Sequence, residues 1–118
     1  MEFINEIRIR GVVGRADVNT PGSRQVCNFS VVTEYSTVDR DGGPVTETSW
    51  FNVAAWEGRC GLQDLHSVQK GSWVEVIGRT RMRKYTTQDN EERTSYDVIA
   101  RSVLVLPRDM DRMQPQRD

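Results

Sequence analysis

The chain has few of the residues from which catalytic and metal sites are built. His66 is the only histidine, so a histidine-based metal cluster cannot form. Cysteine is limited to Cys27 and Cys60, with no CxxC pair. That supports neither a zinc site nor a disulfide scaffold, and no metal or other cofactor is expected. Neither GxxxxGK[ST] nor GxGxxG occurs, so nucleotide hydrolysis and dinucleotide binding lack support. No nucleophile, base and orienting group form a pattern, so the chain is not expected to be an enzyme. No apolar run approaches the roughly 18–20 residues a membrane span needs. Met1 to Arg8 alternate charge with apolar residues and show no signal-peptide pattern, so the cytoplasm is expected. An excess of positive charge is missing too. Lys plus Arg total 16 against 17 for Asp plus Glu, a net charge of −1. Nucleic-acid-binding domains are usually basic overall, so this sum counts against one unless the charge is unevenly spread.

What is present is a single domain's worth of chain. At 118 residues one domain is expected, spanning residues 1–106. Residues 107–118 are polar and lack an apolar period, which predicts a disordered tail. The basic charge is mostly guanidinium, since only Lys70 and Lys84 are lysines. Arginine favours bidentate phosphate contacts and stacking on flat rings.

Period-two alternation predicts strands over 3–13, 25–33, 49–56, 73–83 and 94–106. Turn residues fill 16–24, a long polar hairpin loop is expected over 34–48, and a second loop over 86–93. Leu62 and Leu65 at helical spacing, closed by Lys70-Gly71, predict a short helix over 58–68. Gly78 is expected to mark a bulge. Three strands, a short helix and two strands match the OB-fold, a five-stranded Greek-key β-barrel with a short helix between strands 3 and 4. The fold class is therefore all-β with a small helix.

The third strand carries the first chemical signal. Alternation puts Phe51, Val53 and Ala55 on one face and Trp50, Asn52, Ala54 and Trp56 on the other. The asparagine marks the second face as the wetter one, leaving two indoles as a platform for flat ligands. The alternative is that both tryptophans pack in the core or in a subunit interface. In the fourth strand Val74 and Val76 share one face. Arg79, Arg81 and Arg83 follow on the other if Gly78 leaves the alternation unchanged. The window from Arg79 to Tyr85 holds Arg79, Arg81, Arg83 and Lys84 and no acid. Cations interleaved with an aromatic suit a groove in which charge follows phosphates and rings accept bases. The plainer alternative is an edge strand whose charges suppress pairing with other chains. Cys27 reads as a small core residue and His66 as a partly buried polar one.

Taken in order, the segments resemble the bacterial single-stranded DNA-binding protein family over roughly residues 4–106. The resemblance is carried by Asn5 to Gly14, by Asn28 to Thr33, by Glu47 to Val53, by Lys70 to Arg79 and by Arg81 to Tyr85. It implies an OB-fold that binds single-stranded DNA without sequence preference, protecting it in replication, recombination or repair. It implies base stacking on Trp50, Trp56 and Tyr85, with Tyr35 nearest to a further stacking position in the second hairpin. It implies phosphate contacts from Lys70, Arg81, Arg83 and Lys84, with Arg79 beside them. It also implies a homotetramer at the bacterial nucleoid. Family members often end in an acidic-hydrophobic tip that recruits repair and replication proteins. This chain ends Gln114-Pro115-Gln116-Arg117-Asp118, so recruitment by that route is not expected. Two other readings fit the same pattern: an OB-fold protein-interaction subunit and an RNA-binding OB domain.

Overall fold

The computed structural model describes residues 1–107. Of the tail expected over 107–118, residues 108–118 lie outside the described residues. Five strands form: β1 Ile7–Asn19, β2 Val26–Val38, β3 Pro44–Trp56, β4 Trp73–Thr86 and β5 Glu92–Leu106. They close into a barrel in the order β1-β2-β3-β5-β4. The β3–β5 contact is parallel, through Val53 with Val98 and Ala54 with Ile99. The other pairings are antiparallel. Among the described residues no helix is long and apolar enough to cross a membrane.

Alternation places the core as the sequence predicts. Phe29, Val31, Val53, Ala55, Val74 and Val76 are buried. β-branched side chains suit a pleated, half-buried surface, and valine dominates this core. Cys27 and Cys60 are both buried free thiols, so Cys60 joins the core as well.

The predicted helix over 58–68 is not there. A 3-10 turn at Leu65–Ser67 replaces it. Gly58 and Gly61 adopt φ values of 75° and 78°, in the left-handed region that ends a right-handed helix. Asp64 then starts the short turn by accepting the His66 amide N–H at 2.9 Å. That bond, followed by one from the His66 ring, holds the Asp64 carboxyl below its ordinary range. Leu65 and Val68 point into the core while His66 is exposed.

The strands also run further than their apolar residues suggest. Within the span expected as a loop over 34–48, β2 and β3 stay paired out to Val38 and Pro44. Tyr35, Val38, Val45 and Thr46 are strand formers despite their exposure. The turn is tight: Asp39 Oδ1 accepts the amides of Asp41 at 2.9 Å and Gly43 at 2.7 Å. β4 and β5 likewise pair out to Thr86 and Glu92. Two long hairpin arms therefore project from the barrel.

Two irregularities shape these strands. Gly14 lies at a register shift between Val13 and Arg15, and β1 continues past it to Asn19. A second shift falls between Ile77 and Gly78, where Arg101 is the extra residue on β5. β4 itself keeps its alternation through Gly78. A Cβ there would collide with the Ile99 carbonyl oxygen, so only glycine fits so close to β5. Upstream of β1, the Asn5 side chain donates to the Thr80 carbonyl at 2.7 Å and accepts from the Thr80 amide at 2.9 Å. It satisfies the β4 edge where β1 pairing stops.

Candidate nucleic-acid interface

The outer face of the barrel can be followed strand by strand. Arg79 pairs with Ile99, Ile99 with Ala54, Ala54 with Asn28, and Asn28 with Asp17. Directly paired residues point to the same side of a sheet, so this row crosses all five strands. The neighbouring positions repeat it: Arg81 pairs with Asp97, Asn52 with Ser30, and Ser30 with Arg15. Arg83 and Tyr85 follow Arg81 along β4, and Trp50 and Trp56 flank Asn52 and Ala54 along β3. Unbroken alternation in β4 therefore sets the arginines on the tryptophan side.

Two adjacent clefts open on this face. The first, about 290 Å³, is lined by Arg15, Asn28, Asn52, Ala54, Arg81, Arg83 and Asp97 over a floor of Phe29 and Val53. The second, about 330 Å³, holds Trp56 with Arg59, Arg79 and Arg101. Trp50 stands midway along β3 and is 61% exposed. Its six-membered ring lies against Gly14: a Cβ added at Gly14 would be 2.6 Å from Cζ3 of the indole. The bulge glycine thus leaves room for the ring to approach the backbone of β1. Tyr85 is 46% exposed and stands opposite Arg93 on the β4–β5 arm.

Three of the expected site residues lie elsewhere. Tyr35, 68% exposed, is an odd-numbered β2 residue in line with Cys27, Phe29 and Val31. It projects from the side of its arm opposite Trp50. Lys84 follows Arg83 and faces the other side of β4, in line with Met82. Lys70 lies on a separate surface beside Trp73 and Leu106. Sequence reasoning missed Arg15, Arg101, Asn28, Asn52 and Asp97 as neighbours of the arginine stripe. Each comes from another strand, and only the register unites them. The Tyr85-to-Lys84 alternation, by contrast, was readable from spacing alone.

The acids on the two halves of the barrel behave differently. Glu75, on the outer face of β4 nearer Trp73, is nearly covered. Its Oε2 accepts from Arg10 at 2.7 Å and from Arg8 at 3.2 Å. Those two guanidiniums, Arg10 foremost, hold its carboxyl below the ordinary carboxylate range. Asp97 touches its arginines only loosely, at 3.8 Å for Arg81 and 3.5 Å for Arg83.

The Single-strand binding protein family matches this chain over residues 4–106. The chain belongs to that family. The Single-stranded DNA-binding protein of Neisseria meningitidis serogroup A is 34% identical over 105 residues, covering 87% of this chain and 60% of the relative. The protein of the same name from Xanthomonas axonopodis pv. citri is 32% identical over 105 residues, with coverages of 87% and 58%. The chain thus spans about 60% of the length of these curated relatives. Among solved structures, a Plasmodium falciparum SSB in complex with ssDNA superimposes with a TM-score of 0.76 at 23% identity. It covers 91% of this chain and 98% of that one. A deletion mutant of the single-stranded DNA binding protein from Thermus aquaticus gives 0.72 at 17% identity, covering 89% and 51%. The barrel is accordingly the family's OB-fold, with its short helix reduced here to a 3-10 turn.

Proposed function

We propose that this chain binds single-stranded DNA without sequence preference, by stacking bases on exposed rings and pairing phosphates with arginines. The observation that carries this reading is the outer face itself. Trp50 and Trp56 share it with Arg79, Arg81, Arg83 and Tyr85, across a continuous set of strand pairings. Every base has a ring face, so stacking is tolerant of sequence, while guanidiniums between the rings follow the backbone. Tyr35 and Lys84 serve a strand that passes over the edge of an arm. Lys70 contacts phosphates beyond the two clefts. Family membership and the names of the relatives support the reading.

The role is binding, not catalysis: the chain protects single strands during replication, recombination or repair. On this reading it works at the bacterial nucleoid, as a homotetramer. Labelled oligo-dT titrated with the protein and followed by anisotropy tests the reading, with duplex and RNA of equal length as competitors. Saturable binding that unlabelled oligo-dT displaces far better than duplex is expected. Equal displacement by duplex overturns it, and better displacement by RNA redirects it to an RNA-binding domain. Light scattering reads the assembly.

A further inference from the structure

We infer that Asp97 is a built-in competitor for phosphate, which limits how tightly, and with what salt dependence, the arginine face holds a strand. The inference rests on the single-strand reading above. Asp97 stands opposite Arg81 in the β4–β5 register. Among the described residues it is the one acid lining the first cleft. Its side chain is 13% exposed, whereas those of Arg81 and Arg83 are 48% and 61% exposed. The carboxylate therefore lies deep, with two guanidiniums above it reaching toward solvent.

The distances decide what this carboxylate does. A charge-assisted hydrogen bond that fixes a guanidinium is about 2.7–2.9 Å long. Glu75 makes such a bond with Arg10, at 2.7 Å. The contacts of Asp97 are 3.8 Å and 3.5 Å. They attract without fixing geometry, so Asp97 does not orient the two arginines for a ligand. What remains is its charge. A phosphate entering the cleft meets two guanidiniums already partly neutralised, and a carboxylate that repels it. Binding is weaker than the arginines alone would give, and fewer counterions are released per strand bound.

The test compares Asp97→Asn, Asp97→Ser and Asp97→Glu with the unaltered chain, in oligo-dT titrations between 50 and 300 mM salt. Thermal melts confirm that each variant folds. Removing the charge should tighten binding about fivefold to tenfold at the lowest salt. It should also steepen the slope of log K against log salt by about 0.7, the value of one added phosphate contact on a single strand. Asp97→Glu should keep the unaltered affinity and slope. Weaker or unchanged binding by both neutral variants overturns the inference, and weaker binding would make Asp97 a positioning residue. Failure of the unaltered chain to bind oligo-dT at 50 mM salt would instead overturn the single-strand reading.

Discussion

The indole of Trp50 rests on the bare backbone of Gly14, so closely that a single added methyl would lie 2.6 Å from Cζ3 of the ring. A residue on β3 thereby packs against the bulge of β1. Gly14→Ala should displace the ring. The expected outcome is a shift in tryptophan emission, a loss of oligo-dT affinity and a destabilisation of about 1–3 kcal/mol from overpacking. Emission spectra, titrations and urea unfolding of the same variant check all three together.

Removal of the rings should weaken binding more than folding. Trp50 is mostly exposed and Trp56 partly so, so neither anchors the core. Trp50→Ala and Trp56→Ala should each reduce oligo-dT affinity by about 1–3 kcal/mol, the range for one stacked base. A folded double variant with unchanged affinity would remove the stacking platform from the account.

The arginines should show themselves in the salt dependence. With Arg81 and Arg83 both changed to Ala, two phosphate contacts are lost. The slope of log K against log salt should then flatten by about 1.4. Titrations at four salt concentrations measure it.

At alkaline pH the Cys27 thiol should limit stability. Burial, followed by the nearby charges of Cys60 and Asp17, pushes the Cys27 thiol from 9.0 up to about 11. The unfolded chain therefore loses this proton at a lower pH than the native chain. The stabilisation is fully present below pH 9 and is lost as pH rises from 9 toward 11. Urea unfolding over that window should show a steeper decline for the unaltered chain than for Cys27→Ala.

Acid should act on the other half of the barrel. The Glu75 carboxyl is held below its ordinary 4.5 by Arg10 and Arg8. The ion pair stabilises the fold above that pH, and the contribution is lost as pH falls through the lowered value. Glu75→Gln should lower stability at neutral pH and flatten its dependence on pH below about 4.5. Unfolding curves across the acid range test this.

Much of the fold was legible in the sequence because alternation alone separates buried from exposed faces. Phe51, Val53 and Ala55 against Trp50 and Trp56 is such a case, and Val74 with Val76 another. The helix was misread because Leu62 and Leu65 have helical spacing, while Gly58 and Gly61 impose left-handed backbone that spacing does not show. The β2–β3 arm was read as a loop because Tyr35, Val38 and Val45 pair along strands while staying exposed. The site was legible within single strands, as for Arg79, Arg81 and Arg83. It was not legible between strands. Asp97 meets Arg81 directly across the β4–β5 hairpin, in a register that β5 residues alone do not announce. Arg15 reaches the same cleft only through a β1 bulge and a parallel β3–β5 contact, neither of which leaves a mark in composition. The net charge of −1 also turns out to conceal a strongly uneven surface. Arg59, Arg79 and Arg101 gather at one cleft and Arg15, Arg81 and Arg83 at the next.

The most direct measurement is a fluorescence titration at low salt, following intrinsic tryptophan emission as oligo-dT or a matched duplex is added. Saturable quenching by oligo-dT, lost in the Trp50→Ala and Trp56→Ala double variant and far weaker with duplex, is the expected result. Emission that oligo-dT leaves unchanged, or that duplex quenches equally, would contradict the assignment of this face to single-stranded DNA.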